Sequence, residues 1–370
     1  MINLTGKKFF KENFFLIIIL VMLILISGCS SKTDVKKALE EIRTGTDGIT
    51  LSFLQNAPPD MIHVEQGTDE SANSFEVVLQ LINKGAYPQP GQSSSPKGIV
   101  YLSGYDLNII GFTPKNPPVE NLEGKSLEGK SSINPTGGLD LVTFRGVVNA
   151  NNLNVEKYEP TLLATACYYY QTIAGPSVCI DPDPYSTSNQ KKVCQVQDIA
   201  LTSQGAPVAV IKVGEEAFAT KTQFKITIKN VGGGEVIKFE SLEKCSPTGE
   251  KKVLREDIDK VKLVESKVGT KVLTCGPFIN AGDSNIRGEA GDVRMINGEG
   301  YIICELPISN YGNTKTAYIT PMTIDLRYGY RNSVEKKINI KKEATSAGSP
   351  STPTDTSVQN PYGLPEKTFE

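Results

Sequence analysis

The chain of 370 residues carries 39 Lys and Arg against 41 Asp and Glu, a net charge of -2, and 39% of it is apolar. That length allows two or three domains, the composition excludes a chain disordered throughout, and the missing basic excess argues against nucleic acid as a partner. One His and no Trp leave any histidine-dependent chemistry to His63.

The first thirty residues have the layout of an export signal. Lys7, Lys8 and Lys11 precede an apolar run of thirteen residues, Phe14 to Ile26. The run is shorter than the ~20 residues a helix needs to cross a bilayer and fits the ~7–15 of an export-signal core. It ends in Ile26-Ser27-Gly28-Cys29, which resembles the lipobox of exported lipoproteins. The resemblance implies cleavage before Cys29 and a lipid on its sulfur, with the chain held at the membrane. The competing expectation is an uncleaved anchor helix from Phe9 to Gly28, interrupted by Lys11, Glu12 and Asn13. Either puts the remainder on the extracytoplasmic face of the cell membrane. Residues 1–28 are therefore expected to be signal peptide or anchor, and 29–47 a polar stalk with a helix-capable piece at Asp34 to Arg43.

From residue 48 the periodicity turns from helical to alternating, the mark of half-buried strands. His63 follows Pro58-Pro59-Asp60-Met61-Ile62 with no Gly-x-Ser-x-Gly elbow and no second His, so it is expected on a rim. Ser74 to Ile82 forms a strand pattern that runs into Asn83-Lys84-Gly85. Gly124-Lys125-Ser126-Leu127-Glu128-Gly129-Lys130-Ser131 satisfies the phosphate-loop pattern. Its proline-rich lead-in and Asn134-Pro135 exit cannot supply the buried strand and following helix that hold phosphates, so a flexible loop is expected. Pro160 to Ala166 leads into Tyr168, Tyr169 and Tyr170; if the outer two are core, Tyr169 faces out, and if the strand is flipped, two tyrosines are exposed. Exposed tyrosines could stack on sugar rings or anchor a protein interface.

Asp181, Asp183 and Asn189, and later Asp283, Asn285, Glu289 and Asp292, form acidic runs. Neither fits a calcium loop, and no metal site or cofactor is expected. Gln223 to Lys229 repeats the Phe-led alternation, with Phe224, Ile226 and Ile228 on one face, and runs into Asn230-Val231-Gly232. Pro321 to Leu326 leads into Tyr328 and Tyr330. Two landmarks recurring in the same order suggest a tandem duplication. Residues 343–370 are rich in Ser, Thr, Pro and Gly and are expected to be a disordered tail.

With Cys29 set aside, Cys167, Cys179, Cys194, Cys245, Cys275 and Cys304 remain, an even number without C-x-x-C spacing. Structural disulfides in an oxidising compartment are expected. The Phe-led strands ending in Asn-x-Gly and the late Tyr-x-Tyr strands resemble the immunoglobulin-like modules of archaeal and bacterial surface proteins, the cell-adhesion-related or S-layer-associated type. The resemblance implies an all-β chain of two tandem antiparallel β-sandwiches, Ig-like domain 1 at 48–198 and domain 2 at 199–342. In the hairpin it implies, the strand through Cys167 turns near Thr172 to Pro176 and returns through Val178, which would pair Cys167 with Cys179. Cys194 could then reach across the domain boundary.

Together these features point to a non-enzymatic, membrane-anchored surface protein with a structural, adhesion or envelope-assembly role, its partners the membrane and an envelope protein or polysaccharide. The alternative is a polysaccharide- or peptide-binding lipoprotein serving a transporter or enzyme. A hydrolase would need paired carboxylates that sequence cannot place in space. No catalytic residue is nominated.

Overall fold

The computed structural model describes residues 42–67, 72–89, 91–186, 192–247, 251–280, 283–311 and 316–343. Cys29, the leader, most of the stalk and the tail beyond 343 lie outside the described residues. Among those described, no helix is long and apolar enough to cross a membrane.

The chain is all-β. Its first half holds β1 (Ile49–Phe53), β2 (Met61–Val64), β3 (Ser74–Asn83), β4 (Gly98–Ser103) and β5 (Ile110–Thr113). There follow β6 (Val119–Asn121), β7 (Leu139–Val148), β8 (Lys157–Tyr158), β9 (Thr161–Ala174) and β10 (Ser177–Ile180). The second half opens with β11 (Ile199–Ala200), β12 (Val208–Ala217), β13 (Lys221–Asn230), β14 (Glu235–Ile237), β15 (Lys260–Val268) and β16 (Lys271–Val272). It closes with β17 (Thr274–Asn280), β18 (Asp283–Gly288), β19 (Gly291–Arg294), β20 (Glu299–Pro307), β21 (Tyr318–Lys337) and β22 (Asn339–Lys342).

One smaller sheet runs β1-β3-β7-β5, and another β11-β12-β13-β20-β17-β18. In each, the Phe-led strand (β3 or β13) lies between an earlier strand and a later one. Alternation explains the burial: Phe75, Val77, Leu79 and Leu81 point inward from β3, as Phe224, Ile226 and Ile228 do from β13. A small third sheet, β2-β22-β8, brings the two ends of the described chain together.

The largest sheet crosses the boundary expected at 198/199. Its main path is β16-β15-β21-β9-β4-β6, so strands from both halves are neighbours through β9 and β21. The ladder runs from Thr161↔Lys337 to Ala174↔Ile324 and resumes in the same register at Ser177↔Pro321 through Ile180↔Tyr318. The expected turn near Thr172 to Pro176 is therefore absent, and β10 continues the line of β9 instead of folding back on it. Pro176 lacks a donor, but its carbonyl still accepts from Met322 N–H at 2.8 Å, so the ladder loses one bond and keeps its direction.

At the middle of this ladder the repeated Tyr-x-Tyr segments lie opposite each other. Tyr168 pairs with Tyr330 and Tyr170 with Tyr328, and Tyr169 faces Gly329. The four outer tyrosines are buried, with ring centroids 5.7–6.4 Å apart around the cluster. Buried phenols need partners, and these have matching ones. Ile49 N–H donates to Tyr168 Oη at 3.0 Å and Val208 N–H to Tyr328 Oη at 3.2 Å. Tyr170 O–H donates to Asn83 Oδ1 at 3.0 Å and Tyr330 O–H to Asn230 Oδ1 at 3.2 Å. Around this local two-fold axis, one hydrophobic core extends from Ile49 to Ile340.

All six candidate cysteines are bonded, as Cys167–Cys245, Cys179–Cys194 and Cys275–Cys304. The expected Cys167–Cys179 pair is not formed, because β10 extends β9 rather than returning beside it. A disulfide does link the two halves, but through Cys167 and Cys245 rather than Cys194. Three disulfides mark an oxidising, extracytoplasmic setting.

Candidate functional site

On the face of the large sheet opposite the tyrosine cluster, Cys167, Tyr169 and Gln171 project from β9. The 3-10 segment Phe239–Cys245 lies over this face and buries Leu242 and Cys245 against Cys167 and Ile237. Gly329 makes the close approach feasible: a Cβ there would meet Leu242 Cδ1 at 2.9 Å. The axis thus carries a tyrosine on one strand and a glycine on the other, and the segment seats on the glycine.

Asp257 holds the segment in place. Ser241 Oγ donates to its carboxylate at 2.7 Å, Lys244 Nζ at 2.7 and 2.8 Å, and Leu254 N–H at 2.9 Å. Burial works against ionisation, but the Lys244, Ser241 and Leu254 donors outweigh it and hold the carboxyl at about 2.

The seated segment sets Phe239 against Tyr169, ring centroids 4.8 Å apart and planes at 42°. Together they line an open groove of about 640 Å³ whose other wall is formed by Tyr87 and the loop from Gln92 to Lys97. β4 pairs with β9 as far as Tyr168, and beyond that point the loop stands beside the sheet. Asp325 organises the groove's polar end: Gln171 Nε2 donates to its Oδ1 at 2.8 Å, and Arg327 pairs with its Oδ2 at 3.5 Å. Gln171 and Arg327 are direct cross-strand neighbours. At the far rim Lys97 pairs with Glu123 at 3.7 Å.

Of the two orientations that alternation allows, the strand takes the one with Tyr168 and Tyr170 buried and Tyr169 on the other face. Sequence reasoning missed Phe239 and Arg327, which arrive from segments remote in sequence. The other candidates lie elsewhere. His63 is exposed on β2 and pairs with Glu343. The phosphate-loop look-alike is not a loose loop: Leu127 is buried, its N–H donates to Ser94 C=O at 2.8 Å, and Gly129 N–H to Pro88 C=O at 3.0 Å. Asp181 is taken by Lys192 Nζ at 2.6 Å, which also donates to Asp183 C=O, so a side-chain ammonium fills the position a cation would need. Asp292 pairs with Lys238 at 3.1 Å. Asn189 and the side chains of Asp283 and Asn285 lie outside the described residues.

One titratable group lies at the seam between the halves. Glu215 on β12 is 5% exposed, and its Oε2 accepts from Cys179 N–H on β10 at 3.2 Å while Oε1 has no hydrogen-bond partner. Burial raises its carboxyl to about 7, partly offset by the Cys179 bond. An acid with a raised folded-state pKa binds its proton more tightly when folded, so stability falls as pH rises from about 4.5 to about 7 and then levels. Glu215→Gln keeps the acceptor and removes the ionisation. It is expected to stabilise the protein by roughly 2–3 kcal/mol at pH 8 and by almost nothing at pH 4. Urea unfolding at both pH values checks this; an equal effect at both would show that Glu215 does not titrate on unfolding.

No family model matches the sequence, and no curated protein matches it. Among solved structures it is similar to the secreted serine protease VesC from Vibrio cholerae, at 11% identity over 75% of this chain and 50% of that one, TM-score 0.15. It is also similar to the CupB6 tip adhesin from Pseudomonas aeruginosa, at 11% identity over 81% of this chain and 98% of that one, TM-score 0.18. The chain spans half the length of the protease. At these scores neither likeness carries an argument about this chain's fold or activity.

Proposed function

We propose that this chain is a non-enzymatic surface protein, anchored at the extracytoplasmic face of the membrane through its leader or a lipid on Cys29, and that its β-body serves adhesion or envelope assembly. We read that body as two immunoglobulin-like sandwiches, 48–198 and 199–342, joined edge to edge. The matching placement of β3 and β13, the paired Asn83 and Asn230 contacts and the mirrored tyrosines support that reading. The observation that carries the functional proposal is the double tie between the halves: a continuous β9–β21 ladder on one side and Cys167–Cys245 across it. A body so tied holds a fixed surface away from the membrane, as an adhesive or assembly module must. The charged groups of the groove are engaged in ion pairs, which suits recognition better than proton transfer.

The full chain, oxidised and in detergent, is expected to sediment with isolated envelope of the host and to remain bound at high salt, where surface charge attraction is screened. Failure to sediment would overturn the proposal. Loss of binding after protease treatment of the envelope would identify a protein partner. Persistence would favour polysaccharide, the second reading, which the aromatic groove supports.

A further inference from the structure

The geometry points to a neutral polysaccharide chain as the occupant of the Tyr169–Phe239 groove, an inference that rests on the surface-binding role proposed above. Three properties of the groove select that chemistry.

The first is the pairing of aromatic and planar polar groups. A sugar ring presents C–H bonds on its faces and hydroxyls around its edge, so a protein recognises it with aromatic planes below and in-plane hydrogen-bonding groups beside it. Tyr169 and Phe239 form a two-ring corner, and Tyr87, its ring packed edge-on against Tyr170, lines the opposite wall. Gln171 and Arg327, direct neighbours in the ladder, have Cβ atoms at the ~4.5–5.5 Å of cross-strand pairs and offer an amide and a guanidinium side by side. Asp325 fixes both, which reduces the ordering cost of binding.

The second is charge. Arg327 is balanced by Asp325 and Lys97 by Glu123. A polyanion entering the groove would have to compete with two internal carboxylates, whereas a neutral polyol can bond to both members of each pair.

The third is that the groove lies on the face of a sheet. A peptide recognised by strand addition needs free main-chain groups at an edge. At this point the β9 backbone is paired with β21, and Tyr169 N–H donates to Lys97 C=O at 2.8 Å. Recognition here falls to side chains.

The test is native electrophoresis of the oxidised full chain in detergent, through gels cast with dextran, mannan or laminarin, with polygalacturonate or with no polymer. Retardation by at least one neutral glycan is expected, weakened about tenfold or more in Tyr169→Ala and Phe239→Ala. Tyr301→Ala should match the parent, since Tyr301 is an exposed ring on β20, stacked beneath Lys225. If Tyr169→Ala does not fold, Gln171→Ala carries the same test with a side chain that makes no aromatic contact. Retardation by none of the neutral glycans, by polygalacturonate alone, or unchanged in the groove variants would overturn the assignment. A chain that still sediments with envelope while passing freely through every neutral gel loses this inference and keeps the surface role; one that does not sediment loses the role itself.

Discussion

Replacing Cys167 and Cys245 together by alanine is expected to cost the oxidised protein about 4–5 kcal/mol, more than removing Cys179 and Cys194. The bridges span sequence separations of 78 and 15 residues. On the chain-entropy account the shorter loop is worth about 3 kcal/mol and the longer about 4.5. The longer bridge also joins a β9 residue with no exposed surface to the 3-10 segment over the sheet, so a further cavity cost falls mainly on Cys167. Urea unfolding of each double variant without reductant measures the two losses. The opposite ranking, or equal losses, would mean that restriction of the unfolded chain is not the source of the stability. Because Asp257 still holds the segment through Ser241, Lys244 and Leu254, the variant should retain a weakened groove and not lose it outright.

The features legible in the sequence were those set by local alternation. Phe224, Ile226 and Ile228 share a buried face because strand side chains alternate, and the same rule set Tyr169 on the face opposite Tyr168 and Tyr170. Even the recurrence of Tyr-x-Tyr was visible, but not its use: nothing in either segment says that it pairs with the other copy. Gly175-Pro176 illustrates the limit. That dipeptide ordinarily marks a turn, yet here it sits inside a ladder whose other strand runs twenty residues without a break, and the flanking pairs override one missing donor. Disulfide connectivity failed for the same reason, since pairing depends on which strands become neighbours and not on the spacing of the cysteines. The groove is less legible still. Tyr169, Phe239 and Arg327 come from three distant segments: the β9–β21 ladder brings Tyr169 and Arg327 together, and a glycine at 329 lets Leu242 approach the sheet and seat Phe239 beside them, an effect with no periodic signature.

Asn83→Ala should be nearly as damaging as loss of the crossing disulfide, at about 3–5 kcal/mol, although it removes only a small polar group. Asn83 ends β3 with no exposed surface. Its Nδ2 donates to Tyr87 C=O at 2.7 Å and Leu127 C=O at 2.8 Å, and its Oδ1 accepts from Tyr170 O–H at 3.0 Å and Gly85 N–H at 3.2 Å. Alanine leaves those groups without this partner inside the protein, and each unsatisfied buried group costs about 1–3 kcal/mol, with less than full additivity in a shared network. The counterpart, Asn230, is half-buried and donates only to Gly234 C=O at 2.9 Å while accepting from Tyr330. Asn230→Ala should therefore cost about 1–2 kcal/mol. Asn83→Asp separates hydrogen bonding from shape. An ionised carboxylate would set an acceptor against the Tyr87 and Leu127 carbonyls, while a protonated one can donate to one of them, so this variant should recover part of its stability as the pH is lowered through the carboxyl range. Urea unfolding of the three variants at pH 4 and pH 8 decides it. Equal losses at Asn83 and Asn230 would mean that the two ends of the duplicated pattern carry the same load, and that the loop from Leu127 to Lys130 is held by its main-chain bonds to Ser94, Pro88 and Gly85 and not by the asparagine beneath it.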